Sequence, residues 1–239
     1  MAERAPGRAE SPFVLVTCEH ASAAIPKRWQ PLFERDREVL ATHRAFDPGA
    51  AAVARALAQR LSAEAILGGH SRLLVDLNRS PGHPRLFSEW TRSLPDTERK
   101  AIFERYYMPY REKVVRWIET HRGPVSLIHC SIHSFTPVLD GQVRATDVGL
   151  LYDPSRTLEG ELVGRIQKAL RDRLPSDWKI HRNQPYKGIS DGLIPGMRRQ
   201  FPAEQYVGVE IEMNQRHLSS SADRQRLGQW IVESIVSAI

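Results

Sequence analysis

Four polar sites close apolar runs in this chain. They are Glu19-His20 after "VLVTC", Asn78-Arg79 after "LLVDL", His133 at the end of "SLIHCSIH", and Glu210 with Glu212 in "VGVEIEM". A titratable group where a buried strand runs out must be hydrogen-bonded, exposed at a cleft or bound to something, because an unpaired buried charge is costly. In open α/β sheets ligands bind beyond the carboxyl ends of strands, so these endings are the places to look for chemistry. Two histidines from separate strand ends, His20 and His133, plus one carboxylate would supply the three protein ligands of a catalytic zinc, with a fourth position left for water. Ligands scattered through a chain are a weak signal, and a lone histidine is more often a satisfied core or surface residue. His129, Ser131 and His133 share a strand face by the period of two.

The carboxylate has two sources. Asp47 opens the alanine-rich "DPGAAAVARALAQRLSA" and reads locally as a helix N-cap with Pro48 in the first turn. It has two oxygens, so capping an amide and binding a metal are compatible. Glu19 is the rival ligand, although strand alternation points it away from the face of His20. Arg79, with Asn78, could clamp a substrate carboxylate through parallel hydrogen bonds or form a surface salt bridge. Glu210 and Glu212 lie on one face of an apolar strand. Either could act as general base, or that face could be a solvated edge.

These residues need elements to hold them. The run Phe13–Cys18 is apolar on both faces and predicts a strand covered by helices on each side. "AEAILGG" and "RLLVDLNRS" predict two strands joined at Gly68-Gly69, with further strands at "PVSLIHCSIH", "DVGLLYD", "WKIHRNQ" and "YVGVEIEMN". Helices are expected at "ERDREVLATHRAF", from Asp47 to Ala63, along Asp96–His121 with Pro109 breaking or bending it, at "TLEGELVGRIQKALRDRL" and at the C-terminal "SADRQRLGQWIVESIVSAI". The alternation predicts an α/β fold, a three-layer α/β/α sandwich with a mixed central sheet. Residues 1–12 read as a flexible lead and 13–239 as a single catalytic domain.

Composition narrows the setting. A chain of 239 residues, 41% hydrophobic and 26% charged, can bury a full core. Its 34 basic and 28 acidic residues leave +6 and a pI of about 9.6, which suits an anionic ligand. The charges interleave, as in "YREKVVRWIE", unlike a nucleic-acid-binding arm, so no nucleic-acid partner is expected. No run approaches the roughly 20 apolar residues of a membrane span. Cys18 and Cys130 sit in apolar runs, consistent with a reducing, cytoplasmic setting.

With "CEHAS", "HRAFDPGA", "LLVDLNRS", "SIHSFTP", "NQPYKG" and "VEIEMNQ" in this order, the chain resembles the N-formylglutamate amidohydrolase family from Val14 to Leu218. The resemblance implies a phosphorylase/hydrolase-like fold related to carboxypeptidase A and aspartoacylase, and a zinc-dependent hydrolase of N-formyl or other N-acyl amino acids. Carried over, it makes His20 and His133 zinc ligands, Asn78 and Arg79 the carboxylate-binding pair and Glu212 the catalytic glutamate, with Glu210 its rival. The carboxypeptidase pattern His-x-x-Glu is absent, since Ala23 stands third after His20, and Asp47 in "FDPGA" becomes the acidic ligand. A glutamate substrate has a second carboxylate, for which Arg144 or Arg198 is expected. The rival expectations are a cysteine amidohydrolase using Cys18 and a non-catalytic protein that binds anions.

Overall fold

In the computed structural model, which describes residues 12–121, 123 and 127–239, the first apolar run forms strand β1 (Val14–Cys18). The chain then enters a 3-10 segment, Lys27–Ala41, interrupted at Asp36 by a non-helical backbone. The helix expected at 34–46 is therefore a short-turned segment that stops at Ala41. Helix α1 (Ala50–Leu61) follows, and strand β2 (Glu64–Leu67) pairs parallel with β1.

The strand expected at 72–80 does not form. Leu73, Leu74, Val75 and Leu77 are buried as their run suggests, but the backbone turns at Ser71–Leu74 and again at Asp76–Arg79. Its amides bond neighbouring loops, Arg72 to Ala45 and Asp76 to Leu86, rather than a ladder. Apolar content alone does not distinguish a strand from an irregular buried segment.

Helix α2 (Asp96–Ile102) continues through a π-helical turn, Phe103–Tyr107, into α3 (Met108–His121). Pro109 thus does not break the helix. A wide turn just ahead of it absorbs the missing amide and the ring's bulk, a common local solution.

Strand β3 (Leu127–Phe135) has every residue buried; the 124–126 portion of the expected strand lies outside the described residues. A two-stranded hairpin follows, β4 (Val138–Leu139) and β5 (Gln142–Val143), then β6 (Val148–Leu151), α4 (Thr157–Arg171), β7 (Ile180–Arg182) and α5 (Leu193–Arg198). Strand β8 (Tyr206–Asn214) is also buried throughout, and α6 (Ser221–Val236) closes the chain, N-capped by Ser220.

The central sheet runs β2-β1-β3-β8-β6-β7. The first four strands are mutually parallel, and β6 and β7 run antiparallel to them, so the sheet is mixed as expected. Helices α1, α4 and α6 cover one face over Val16, Cys130, Ile132, Val209 and Ile211. The 3-10 segment, α3 and α5 cover the other over Leu15, Leu127 and Tyr206. This is a three-layer α/β/α sandwich, and it brings the carboxyl ends of β1, β3 and β8 to one edge. Among the described residues no helix is long and apolar enough to cross a membrane.

Arg198, expected to bind substrate, belongs to this framework instead. Its side chain is 6% exposed and bidentate to Glu159 of α4, Nε to Oε1 at 2.9 Å and Nη2 to Oε2 at 2.8 Å. Its remaining donors reach the Gly188 and Gly208 carbonyls. Every arm of the guanidinium is occupied by protein. Breaking a buried pair leaves an uncompensated charge, so Arg198→Met should lower unfolding stability by about 3–5 kcal/mol, read from the denaturant midpoint.

Candidate functional site

Three side chains meet at the carboxyl edge. Register sets Thr17 of β1 beside Ser131 of β3, Ser131 beside Glu210 of β8, and His133 beside Glu212. One sheet face therefore carries a polar row at the edge. Gly68 keeps the turn after β2 tight against it: its amide donates to the Cys18 carbonyl at 2.9 Å, and a Cβ there would fall 2.1 Å from the Glu19 carbonyl oxygen.

His20, Asp47 and His133 are all buried, and one donor atom of each lies within 4.8 Å of the others. His20 Nδ1 is 3.5 Å and His133 Nδ1 is 2.9 Å from the same oxygen, Asp47 Oδ2. Neighbouring ligands of a tetrahedral zinc sit about 3.3 Å apart, given bonds of about 2.0–2.2 Å. His20 Nδ1 is buried with no hydrogen-bond partner. An orphaned imidazole nitrogen facing a carboxylate oxygen fits a divalent metal, and the two-histidine, one-aspartate donor set agrees.

Both imidazoles are held from behind by carboxylates. His20 Nε2 lies 2.7 Å from Asp76 Oδ1, and His133 Nε2 lies 2.7 Å from Glu19 Oε2. Such partners fix the tautomer and raise ligand basicity. Glu19 also accepts from Ser131 Oγ at 2.7 Å and from the Tyr110 hydroxyl at 2.9 Å. Its carboxylate stands behind His133, outside the trio. The expectation that alternation would separate Glu19 and His20 does not apply, because β1 ends at Cys18.

Asp47 does not cap α1. Gly49, at φ 82°, takes the N-cap position, with no side-chain capping bond. The Asp47 side chain instead turns to the site, where Oδ1 accepts from Arg72 and Oδ2 accepts from the Ser134 amide at 3.2 Å.

Titration follows from these contacts. Burial, with Arg72 nearby, pushes His20 down to about 4, so it is a neutral imidazole at neutral pH. Burial would also lower His133, but Glu19, Glu212 and Glu210 outweigh it and push it up to about 10. Burial works against the Asp76 carboxylate, yet its bond from His20 and the guanidiniums of Arg72 and Arg79 hold it below the usual range. Glu212 is raised to about 7, by burial first, with His133 opposing and Glu210 adding; its Oε2 is buried and unpartnered. Burial raises Glu210 as well, partly offset by His133, Arg198 and Asn78.

Asn78 and Arg79 lie on the adjoining turn. Asn78 Oδ1 accepts from the Leu193 amide at 2.6 Å, tying the turn to α5. Arg79 is about one-third exposed; Nη1 reaches the Asp191 carbonyl at 3.4 Å, Nε is 3.8 Å from Asp76 Oδ2, and that nitrogen has no hydrogen-bond partner. Arg144 donates to the Tyr186 hydroxyl at 2.9 Å and lies over the rings of Tyr186 and Phe135. Cys18 is fully buried in the core and burial pushes its thiol up to about 12, so it remains a protonated packing group and the cysteine reading falls.

Sequence reasoning missed Arg72, Asp76 and Tyr110. Asp76 stands two residues before Asn78, and its signal was hidden in a run read as a strand. Arg72 opens the same run. Tyr110 sits in a helix whose aromatics read as core, and it is core apart from its hydroxyl.

A buried, metal-competent donor set beside a carboxylate poised near neutral pH, at the carboxyl edge of an α/β sandwich, is the equipment of a hydrolase. The sequence profile of the N-formylglutamate amidohydrolase family matches residues 12–219, and the chain belongs to that family, whose members act on amides. Among solved structures, gene product Atu2144 from Agrobacterium tumefaciens is 26% identical, covering 95% of this chain and 90% of its own, with a TM-score of 0.76. A metallo-carboxypeptidase from Burkholderia cenocepacia is 14% identical over 98% of this chain and 58% of its own, at TM-score 0.46. Murine aminoacylase 3 is 18% identical over 97% and 66%, at 0.43. The fold likeness rests on the Agrobacterium structure. The comparison with curated proteins found no match.

His133 carries its proton at neutral pH, between Glu19 and Asp47, and a metal must displace it. Metal loading should therefore release about one proton between pH 7 and 9. Calorimetry in buffers of different ionisation enthalpy measures this, and apparent affinity should climb with pH until near 10.

Proposed function

We propose that the protein is a zinc-dependent amidohydrolase that cleaves the N-formyl, or another N-acyl, amide of an acidic amino acid such as N-formyl-L-glutamate. Water is consumed, and formate and the free amino acid are released. The observation that carries this is the meeting of His20, Asp47 and His133 beside the unpartnered carboxylate oxygen of Glu212. Zinc held by those three residues would supply Lewis acidity, acidifying water and polarising the amide carbonyl.

The chain's own residues do the rest. Glu212, raised to about 7, takes the proton of the attacking water and returns it to the leaving nitrogen. Glu19 and Asp76 hold His133 and His20 in orientation. Arg79 takes the substrate α-carboxylate, with Asn78 bracing its turn against α5. Arg144 remains the cation for the second carboxylate, since Arg198 is occupied by Glu159. Residues 13–239 act as one catalytic domain on a small molecule, with no nucleic acid involved, in the cytoplasm. A mixed pattern of charges along the chain, with no basic block, supports that choice of partner.

Glu212→Gln should lower kcat on N-formyl-L-glutamate by about 10²- to 10⁴-fold while bound zinc, measured by elemental analysis, stays stoichiometric. Stripping the ion from the unsubstituted protein should abolish turnover and zinc should restore it. Full activity of metal-free protein would refute the mechanism.

Arg79→Ala should cost about 10- to 100-fold in kcat/KM on N-acyl amino acids, through a rise in KM. Steady-state kinetics on the corresponding amides without a carboxylate should show little change, and an equal loss on both would remove Arg79 from the clamp.

A further inference from the structure

Five of the seven large hydrophobic side chains exposed among the described residues lie on two segments beside the site. Val138, Leu139 and Val143 are on the β4–β5 hairpin, and Tyr186 and Ile189 are on the loop before α5. Val143 is 75% and Ile189 62% exposed. Single apolar residues scattered over a surface need no explanation, but concentration on neighbouring loops marks a contact surface.

The hairpin is very short and turns at Asp140 and Gly141, both at positive φ. An isolated ribbon of this size has little stability, so its position depends on its anchors. Those anchors are parts of the site. The hairpin follows β3, which ends two residues after His133, and the Arg144 amide donates to the Pro137 carbonyl at 2.9 Å. Asn214, two residues past Glu212, reaches the Arg144 carbonyl through Nδ2 at 3.5 Å. The Arg144 guanidinium lies 5.6 Å from the Phe135 ring centre and 5.0 Å from that of Tyr186, whose hydroxyl accepts its bond. One cation thus joins the hairpin, the end of β3 and the second loop.

The carboxylate clamp stands at the other end of the row. Arg79 approaches Asp76, Asp76 holds His20, and His20 meets His133, whose strand leads to Phe135 and the hairpin. A substrate with its α-carboxylate on Arg79 and its scissile carbon at the trio directs its acyl group away from Arg79, toward the hairpin. Resting on the amide hydrolysis proposed above, we propose that the β4–β5 hairpin and the Tyr186–Ile189 loop form an apolar acyl subsite, so that the substrate class is N-acyl amino acids whose aliphatic acyl chain is longer than formyl.

The test is a homologous series of N-formyl-, N-acetyl-, N-butanoyl- and N-hexanoyl-L-glutamate. With the zinc-loaded protein, kcat/KM should rise about twofold per added methylene, short of the roughly fourfold that full burial would give. The Val138→Ser/Val143→Ser double variant, which removes the cross-strand pair on one face of the hairpin, should flatten that rise. The same compounds titrated calorimetrically into Glu212→Gln protein should show Kd falling along the series, and this reads the subsite without turnover. A flat series in both measurements overturns the proposal, as does a rise that the double variant leaves intact. Cleavage of the formyl compound with a flat series would reject the subsite alone. Chain-length-dependent binding with no cleavage of any member would reject the hydrolase and keep the subsite. Self-association in sedimentation that the double variant relieves, with a flat series, would assign the surface to a second copy of the chain.

Discussion

Burying so many ionisable groups at one edge of a sheet is tolerable only where each charge meets an opposite one, and that constraint organises this molecule. Glu19, Asp47, Asp76, Glu210 and Glu212 face Arg72, Arg79 and a protonated His133. Acid exceeds base in that set even with both guanidiniums counted. A divalent cation at the trio would correct the excess, and displacing the His133 proton would let the imidazole bind it. The high affinity of His133 for its proton and the fitness of the place for a metal have one cause, the negative field of the surrounding carboxylates. His20 differs because Arg72 and burial dominate there, leaving a neutral ring whose Nδ1 has no partner.

The framework reaches the site through a few contacts. The π-helical turn ahead of Pro109 keeps α2 and α3 continuous, and Tyr107 and Tyr110, three residues apart, fall on one side of the helix. The Tyr107 hydroxyl donates to the Arg79 carbonyl and that of Tyr110 to Glu19, so one helix braces both the Asn78-Arg79 turn and the carboxylate behind His133. On the far side, Glu159 and Arg198 tie α4 to α5 and to the β8 backbone at Gly208, two residues before Glu210. Misplacement of either brace would move the site without touching a ligand.

The layered fold and the strand-end residues were legible because they rest on local patterns. Parallel strands buried on both faces read as unbroken apolar runs, and a polar residue ending such a run is conspicuous, which is how His20, His133 and the Glu210/Glu212 pair were singled out. What local pattern alone left open or missed depended on distant partners. Asp47 has the local grammar of a helix cap, and only Arg72 and Ser134, 25 and 87 residues away, show where its oxygens go. Arg198 looked available because Glu159, its partner 39 residues earlier, sits in the first turn of α4, where an acid is unremarkable. Asp76 and Arg72 were hidden because the 72–80 segment has strand composition without a strand's hydrogen bonds.

The two glutamates of β8 show how identical side chains on one face become different groups. Glu210 lies opposite Ser131 and Leu151, within the influence of Arg198 and Asn78, both of which favour its charged form. Glu212 lies opposite His133 and Gly149, two residues nearer the edge, with one oxygen unpartnered. A Cβ at position 149 would meet the Gln184 carbonyl oxygen at 2.1 Å and the Glu212 Cβ at 3.2 Å, so the glycine admits both the loop and the glutamate. Burial first, and then the neighbouring Glu210, disfavour ionisation of Glu212, which is pushed up to about 7 against the pull of His133, Arg72 and Arg144. That unpartnered oxygen and the raised affinity for a proton support Glu212 over Glu210 as the base proposed above.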